Sequence, residues 1–356
     1  MTTGLQPRRL TSPNDLVEAG LAAPERLAEL KAVAERYAVS LTPALAALID
    51  HGVPADPVAR QFVPDGRELI RDPAERDDPI GDDAMSPIPG LVHRYPDRAL
   101  IKLVAACAVY CRFCFRRERV GPGAGALSPA EFAAALDYVR ARPGVWEVIL
   151  SGGDPLILSP RRIAEATKAL AAIPHVKVLR WHTRLPVAAP ERVTKAMARA
   201  LIADGKTTVV AVHANHPREL THAARAACGR LSAAGAMLVS QSVLLKGVND
   251  DAETLADLMR AFVEARIKPY YLHHCDLAPG TSHWRVPIAR GQELMRVLRG
   301  RLSGLATPNY MLDIPGGRGK IPAGPQWVRG GGNGTYVATD PRGVEHLYVD
   351  GEGADS

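Results

Sequence analysis

The chain has 356 residues, 47% of them hydrophobic, and a formal net charge of +6. That length and apolar content support one large domain with its own core and a smaller elaboration. The basic excess is modest and spread along the chain rather than gathered in tails, which does not mark a nucleic-acid binder.

Residues 1–85 hold two helix-like stretches, PERLAELKAVAERYA (24–38) and TPALAALIDHG (42–52), then a charged, proline-containing segment that runs to Asp83. From residue 99 onward, short Val/Ile/Leu-rich runs alternate with helical stretches. Strands are predicted at 99–105, 146–151, 176–182, 208–214, 237–243, 268–273 and 309–314, and helices at 129–141, 160–172, 191–204, 217–234, 251–266 and 288–302. The first of these helices opens with Ser128-Pro129-Ala130-Glu131, a capping box with proline at the first helical position. Strand and helix in alternation imply a parallel sheet with right-handed crossovers. Six or seven such units predict an α/β fold, a partial or full (β/α) barrel, with a doubly wound sheet as the alternative. The expected division is an N-terminal helical extension over 1–85, a barrel over 86–328 and a C-terminal tail over 329–356. No apolar run reaches the length of a membrane span, and MTTGLQPRRL at the N-terminus lacks the apolar core of a signal peptide, so a reducing, cytoplasmic setting without a membrane partner is expected.

The segment CAVYCRFCFRR (107–117) holds three of the five cysteines, Cys107, Cys111 and Cys114, within eight positions. An odd number of thiols, with Cys228 and Cys275 far away, argues against a disulfide framework. Structural zinc usually takes four ligands in two pairs, and no second pair is present. Three thiolates instead suit three corners of a 4Fe–4S cluster, which leaves one iron without a protein ligand. The competing reading is three buried small hydrophobes. Against it stand the strand-like run ALIKLVA before the cluster, the nearby Arg112, Arg116, Arg117 and Arg119, and the glycine- and proline-containing loop 120–128. Residues at or just past the other strands are also polar: Ser151-Gly152-Gly153-Asp154, His182-Thr183-Arg184, His213-Ala214-Asn215-His216, Gln241-Ser242, His273-His274-Cys275-Asp276 and Asp313. A barrel puts its chemistry at the C-terminal ends of its strands, so the site is expected at that mouth.

CxxxCxxC is the pattern of the radical S-adenosylmethionine enzymes, and SGGD after the next strand resembles their glycine-rich methionine-binding loop. From about residue 85 the chain resembles the lysine 2,3-aminomutase family, through SPIPGLVHRYPDR (86–98), CAVYCRFCFRR (107–117), SGGDPL (151–156), HANHP (213–217), QSVLLKGVND (241–250), KPYYLHHCDLAPG (268–280) and DIPGGRGK (313–320). The resemblance implies that Cys107, Cys111 and Cys114 hold the cluster. It implies that Gly152, Gly153, Asp154, His213 and Gln241 line the S-adenosylmethionine site, and that Lys320 is the covalent anchor of pyridoxal phosphate. Arg94, Tyr95 and Arg98 would position that cofactor. Arg116 would take the substrate carboxylate, and Asp276 and Asp313 the ammonium of L-lysine.

The implied activity is the radical 1,2-amino shift that converts L-lysine to β-lysine, with a reducing donor such as flavodoxin or ferredoxin and room for a homo-oligomer. The segments CAVYCRFCFRR and SGGDPL, with His273, lean toward the branch that makes β-lysine for elongation factor P, whereas DIPGGRGK leans toward the catabolic branch. Catabolic members carry a C-terminal cysteine-rich zinc segment. No cysteine follows Cys275, so no zinc site and a different or weaker oligomer are expected. By residue type alone, Lys320 also reads as a solvated loop lysine, Asp313 as a turn aspartate and the strand-end histidines as backbone-bonded. An aminomutase of another amino acid such as glutamate, a radical enzyme without pyridoxal phosphate and a non-enzymatic iron–sulfur protein are the competing functions.

Overall fold

The computed structural model describes residues 8–350 apart from Pro54 and Asn333. Nine strands form one sheet in strict chain order: β1 (Leu91–Tyr95), β2 (Arg98–Val104), β3 (Glu147–Gly152), β4 (Val178–Thr183), β5 (Thr207–His213), β6 (Met237–Val243), β7 (Lys268–His273), β8 (Asn309–Ile314) and β9 (Gly319–Pro322). From β2 to β8 every neighbouring pair is parallel. The two outermost strands, β1 and β9, run antiparallel to their neighbours. A doubly wound sheet reverses its order at a switch point; this one never does, and it is a nearly closed (β/α) barrel.

Side chains alternate across the strands. Val148, Leu150, Leu179, Trp181, Val210 and Val212 join the main hydrophobic core, which also takes in Ala135 and Val139 of the helix Pro129–Arg140, Ile163 and Leu170 of Pro160–Ala171, and Leu255 and Phe262 of Ala252–Glu264. The intervening residues Val178, Val209, Ala211 and Val239 form a separate apolar cluster with Tyr270. Further along the same strands, on the same face, come Arg180, His182, His213 and Gln241. The floor of the barrel is therefore apolar and its upper rim polar.

Several elements depart from the sequence expectation. The helix predicted at 191–204 is reduced to a short turn, Pro190–Arg192, and the helix Lys195–Ala200. Val193 leaves the helical region (ψ 73°), and Thr194 starts a new cap by accepting from the Met197 N–H. The helix predicted at 217–234 is a short turn, Pro217–Glu219, followed by His222–Ala233 capped by Thr221. In the N-terminal region Leu27–Arg36 and Pro43–Ala46 are shorter than predicted. Leu16, Leu41, Leu45 and Phe62 from this region are buried in the same cluster as the barrel strands, so it is packed as part of one core. The segment expected as a tail contains β10 (Val328–Gly332), β11 (Thr335–Thr339) and β12 (Glu345–Val349), an antiparallel sheet of three exposed or half-exposed strands. No helix among the described residues is long and apolar enough to cross a membrane.

Trp181 is fully buried against the helical shell, whereas Trp146 is 51% exposed. Trp181→Ala should lower stability by about 3–5 kcal/mol, and Trp146→Ala should change it by less than about 0.5 kcal/mol. Urea unfolding of the two variants checks the assignment.

Candidate active site

The cysteine loop follows β2 directly. Its turns are fixed by backbone bonds from Cys114 N–H to the Cys111 carbonyl (3.1 Å) and from Arg117 N–H to the Cys114 carbonyl (3.1 Å). All three thiols are free and partly exposed. Burial raises each of their pKa values, that of Cys114 to about 11, and nearby Cys111 pushes Cys114 further. Such a triad becomes a set of thiolates only if cationic iron compensates the charge. Among the described residues no three His, Cys, Asp or Glu side chains converge to hold a single metal ion. A cluster makes a different demand, one iron for each thiolate, and the donor set fits it.

The SGGD loop after β3 lies hard against this segment. Gly153 N–H donates to the Val104 carbonyl (2.6 Å) and Asp154 N–H to the Ala106 carbonyl (3.0 Å). A Cβ on Gly152, whose φ is +108°, would sit 2.4 Å from the Val104 oxygen, and one on Gly153 would sit 2.3 Å from the Ala106 oxygen. Only glycine permits that approach. The buried Asp154 carboxylate accepts from Thr183 Oγ1 (2.7 Å), Leu156 N–H (3.0 Å) and Arg184 N–H (2.8 Å), so it staples the loop to the end of β4.

The two edges of the sheet meet at a second cluster. Lys320, in β9, donates its backbone N–H to the Tyr95 hydroxyl of β1 (2.7 Å), and its Nζ pairs with Asp313 Oδ2. Arg94 Nη1 binds the other Asp313 oxygen (2.9 Å) while its Nη2 donates to the Ile80 carbonyl (2.5 Å). Arg98 lies over the Tyr95 ring at 3.8 Å and donates to Asp97 (2.8 Å). The loop before β1 closes over DIPGGRGK so tightly that a Cβ on Gly81, whose φ is +74°, would lie 2.1 Å from the Gly317 nitrogen.

That loop contributes a residue the sequence reading missed. Asp82 is buried, accepts from Arg116 Nε at 2.8 Å and stands 3.8 Å from Arg94 Nη2. Arg116 also reaches Ser151 Oγ (3.3 Å) and the Gly152 carbonyl (3.4 Å). The available signal was the acidic run RDDPIGDD just before the barrel, since buried arginines need carboxylates. Asp276 differs from the other two aspartates. Its carboxylate accepts no hydrogen bond from the described residues, and burial pushes it up to about 7 against the opposing pull of Lys320.

Three imidazoles complete the rim. His182, His213 and His273 are all held well below the usual histidine range, chiefly by burial, with Arg180 and Arg116 near His182, Arg184 near His213, and Lys320 near His273. They are therefore neutral. His273 Nε2 meets Gln241 Nε2 at 3.0 Å. His213 stacks on Phe113, with ring centroids 5.7 Å apart. Among the described residues the buried Nε2 atoms of His182 and His213 have no hydrogen-bond partner, as befits a pocket that receives polar ligands. The fold thus brings the cysteines and SGGD to the C-terminal ends of β2 and β3 and Lys320 with Arg94 to the β1–β9 seam, whereas Arg98 starts β2 at its opposite end, level with Glu147 at the start of β3.

Residues 101–259 match the Radical SAM superfamily. The chain is 38% identical over 325 residues to the L-lysine 2,3-aminomutase of Acetoanaerobium sticklandii, covering 91% of this chain and 78% of that protein. It is 35% identical to the L-lysine 2,3-aminomutase of Escherichia coli, covering 88% and 91%. It is also 34% identical to the glutamate 2,3-aminomutase of Clostridioides difficile, covering 84% and 70%. The chain therefore belongs to the lysine 2,3-aminomutase family of radical S-adenosylmethionine enzymes and is an isomerase of that kind.

Proposed function

We propose that the protein moves the α-amino group of L-lysine to its β-carbon, giving β-lysine. The observation that carries this choice of substrate is Asp276, a half-buried carboxylate that accepts no hydrogen bond among the described residues and lies near Lys320 and Asp313. A lysine side chain ends in an ammonium that such a group attracts. A glutamate side chain would bring a second carboxylate to it and be repelled.

The iron–sulfur cluster and S-adenosylmethionine would supply the radical that takes a hydrogen from the substrate, and pyridoxal phosphate the conjugated system that lets the amino group migrate. Cys107, Cys111 and Cys114 would hold the cluster, and Gly152 and Gly153 would leave the backbone open beside it. Arg94, Tyr95 and Arg98 would position pyridoxal phosphate over Lys320. Arg116, kept in place by Asp82 and Ser151, would orient the substrate carboxylate. The Lys320 ammonium sits against Asp313 and must lose its proton before its nitrogen can attack a carbonyl. Asp276 changes charge near neutral pH and is the nearby group suited to take that proton, which it must pass to solvent to regain the charge that holds the substrate ammonium. Once Lys320 is no longer charged, Asp313 becomes available to the substrate ammonium. Neutral His182 and His213 can accept or donate hydrogen bonds without repelling a cationic sulfonium or ammonium.

The direct test is to incubate the anaerobically reconstituted, chemically reduced enzyme with L-lysine or L-glutamate and identify products by NMR. β-Lysine from lysine and nothing from glutamate is expected; the reverse would overturn the reading.

Replacing Cys107, Cys111 or Cys114 by alanine should abolish iron binding, whereas Cys228→Ala and Cys275→Ala should retain it, as measured by iron content after anaerobic reconstitution. Iron retained in Cys107→Ala but lost in Cys275→Ala would reverse the ligand assignment.

The Asp276 carboxyl is uncharged below its raised pKa and ionised above it, and an ammonium is held only by the ionised form. Lysine affinity should therefore rise with pH by about tenfold per unit below about 7 and level off above. Asp276→Asn should weaken binding by at least about tenfold at pH 8 and flatten that profile. Titrations of the two proteins between pH 6 and 8 check both statements.

A further inference from the structure

We propose that Arg184 is a positioning residue that sets the reduction potential of the iron–sulfur cluster through its hydrogen bond to the Cys111 sulfur, an inference that rests on the reading of the three cysteines as cluster ligands. Arg184 follows β4 immediately, and its backbone N–H is held by Asp154 at 2.8 Å. Its Nη1 donates to Cys111 Sγ at 3.0 Å. Among the described residues no other side chain donates to any of the three cysteine sulfurs.

The guanidinium cannot easily leave that position. Its Nη2 donates to Gln61 Oε1 (2.7 Å) and to Glu219 Oε2 (2.5 Å). Glu219 is itself fully buried, and its Oε1 accepts from Gln61 Nε2 (3.0 Å), Asn215 N–H (2.9 Å) and His216 N–H (3.0 Å). Asn215 Nδ2 donates in turn to Gln61 Oε1 (3.1 Å). Phe62 lies 4.6 Å and Phe113 5.7 Å from the guanidinium carbon and keep the group dry. Here a fixed charge acts with little screening.

A cation and donor at a ligand sulfur favour the reduced cluster, which carries one more negative charge, and so raise its potential. Glu219 acts in the opposite sense. The potential therefore depends on the balance of two buried charges, and the contact through Gln61 ties the N-terminal region to that balance. This gives residues 59–62 a role at the site that their sequence does not advertise.

A purely structural role for the network predicts no sign for the effect of losing either partner, whereas the proposal predicts opposite signs. The test is a redox titration of the anaerobically reconstituted holoprotein, followed by the electron paramagnetic resonance of the reduced cluster, with iron content measured in parallel. Arg184→Gln should shift the midpoint to more negative potential, Glu219→Gln should shift it to more positive potential, and Arg184→Lys should shift it less than Arg184→Gln. Midpoints unchanged in both glutamine variants, or moved in the same direction, would overturn the proposal. If Arg184→Gln fails to retain iron, the Glu219→Gln shift decides alone: positive supports the proposal, and zero or negative overturns it. A wild-type protein with no iron and no resonance would sink the cluster reading itself, a separate failure.

Discussion

The hydrogen bond from the Lys320 backbone to the Tyr95 hydroxyl, with the Arg94–Asp313 ion pair beside it, joins the two edges of the sheet. Seven parallel strands alone would leave a curved sheet with two free margins. Each margin ends instead in an antiparallel strand, and side chains of β1 reach the Asp313 side chain of β8 and the Lys320 backbone of β9 across the gap. Residues more than two hundred positions apart become neighbours there, and Lys320 comes to face the same rim as the cysteine loop. The glycines at 81 and 317 belong to this constraint, because any larger residue at 81 would separate the loops that cover the join.

Charge is distributed around the rim in a way that suits ligands of mixed sign. Arg94 and Arg116 are held by Asp82, Lys320 and Arg94 by Asp313, and Arg184 by Glu219. Buried ion pairs are weak contributors to stability, but removing one partner leaves an uncompensated charge. The pairs therefore fix geometry more than they add stability. Asp276 and the imidazoles of His182 and His213 stand outside this pairing, and their protonation and hydrogen bonding are what a ligand can change.

The alternation of strands and helices was legible because each parallel strand is a short apolar run and the main barrel helices other than Ile288–Arg301 carry their own caps; β6, β7 and β8 end where the sequence predicts. The cysteine triad was legible from its spacing. What was not legible depended on long-range partners. β1 and β9 are short and half polar, and their strand character comes from pairing with β2 and β8 rather than from their own composition. Asp82 sits in a segment that reads as a charged linker and is buried only because two arginines from other elements reach it. Arg184 and Gln61 lie 123 positions apart, and nothing local relates them. The helix expected at 191–204 is cut short for a local reason, the non-helical Val193 and the Thr194 cap that restarts the helix after the Pro190–Arg192 turn, which the helical pattern on both sides concealed.

The claim at the centre of this account is that the β1–β9 join holds Lys320 in place for the proposed pyridoxal phosphate while the cysteine loop stands independently on β2 and β3. Tyr95→Phe removes the hydroxyl that accepts the Lys320 N–H and leaves the aromatic ring. Measured together, the pyridoxal phosphate and iron contents of that variant test the claim most directly. The account predicts a loss of pyridoxal phosphate with iron at the wild-type level. Unchanged pyridoxal phosphate, or a parallel loss of iron, would contradict it.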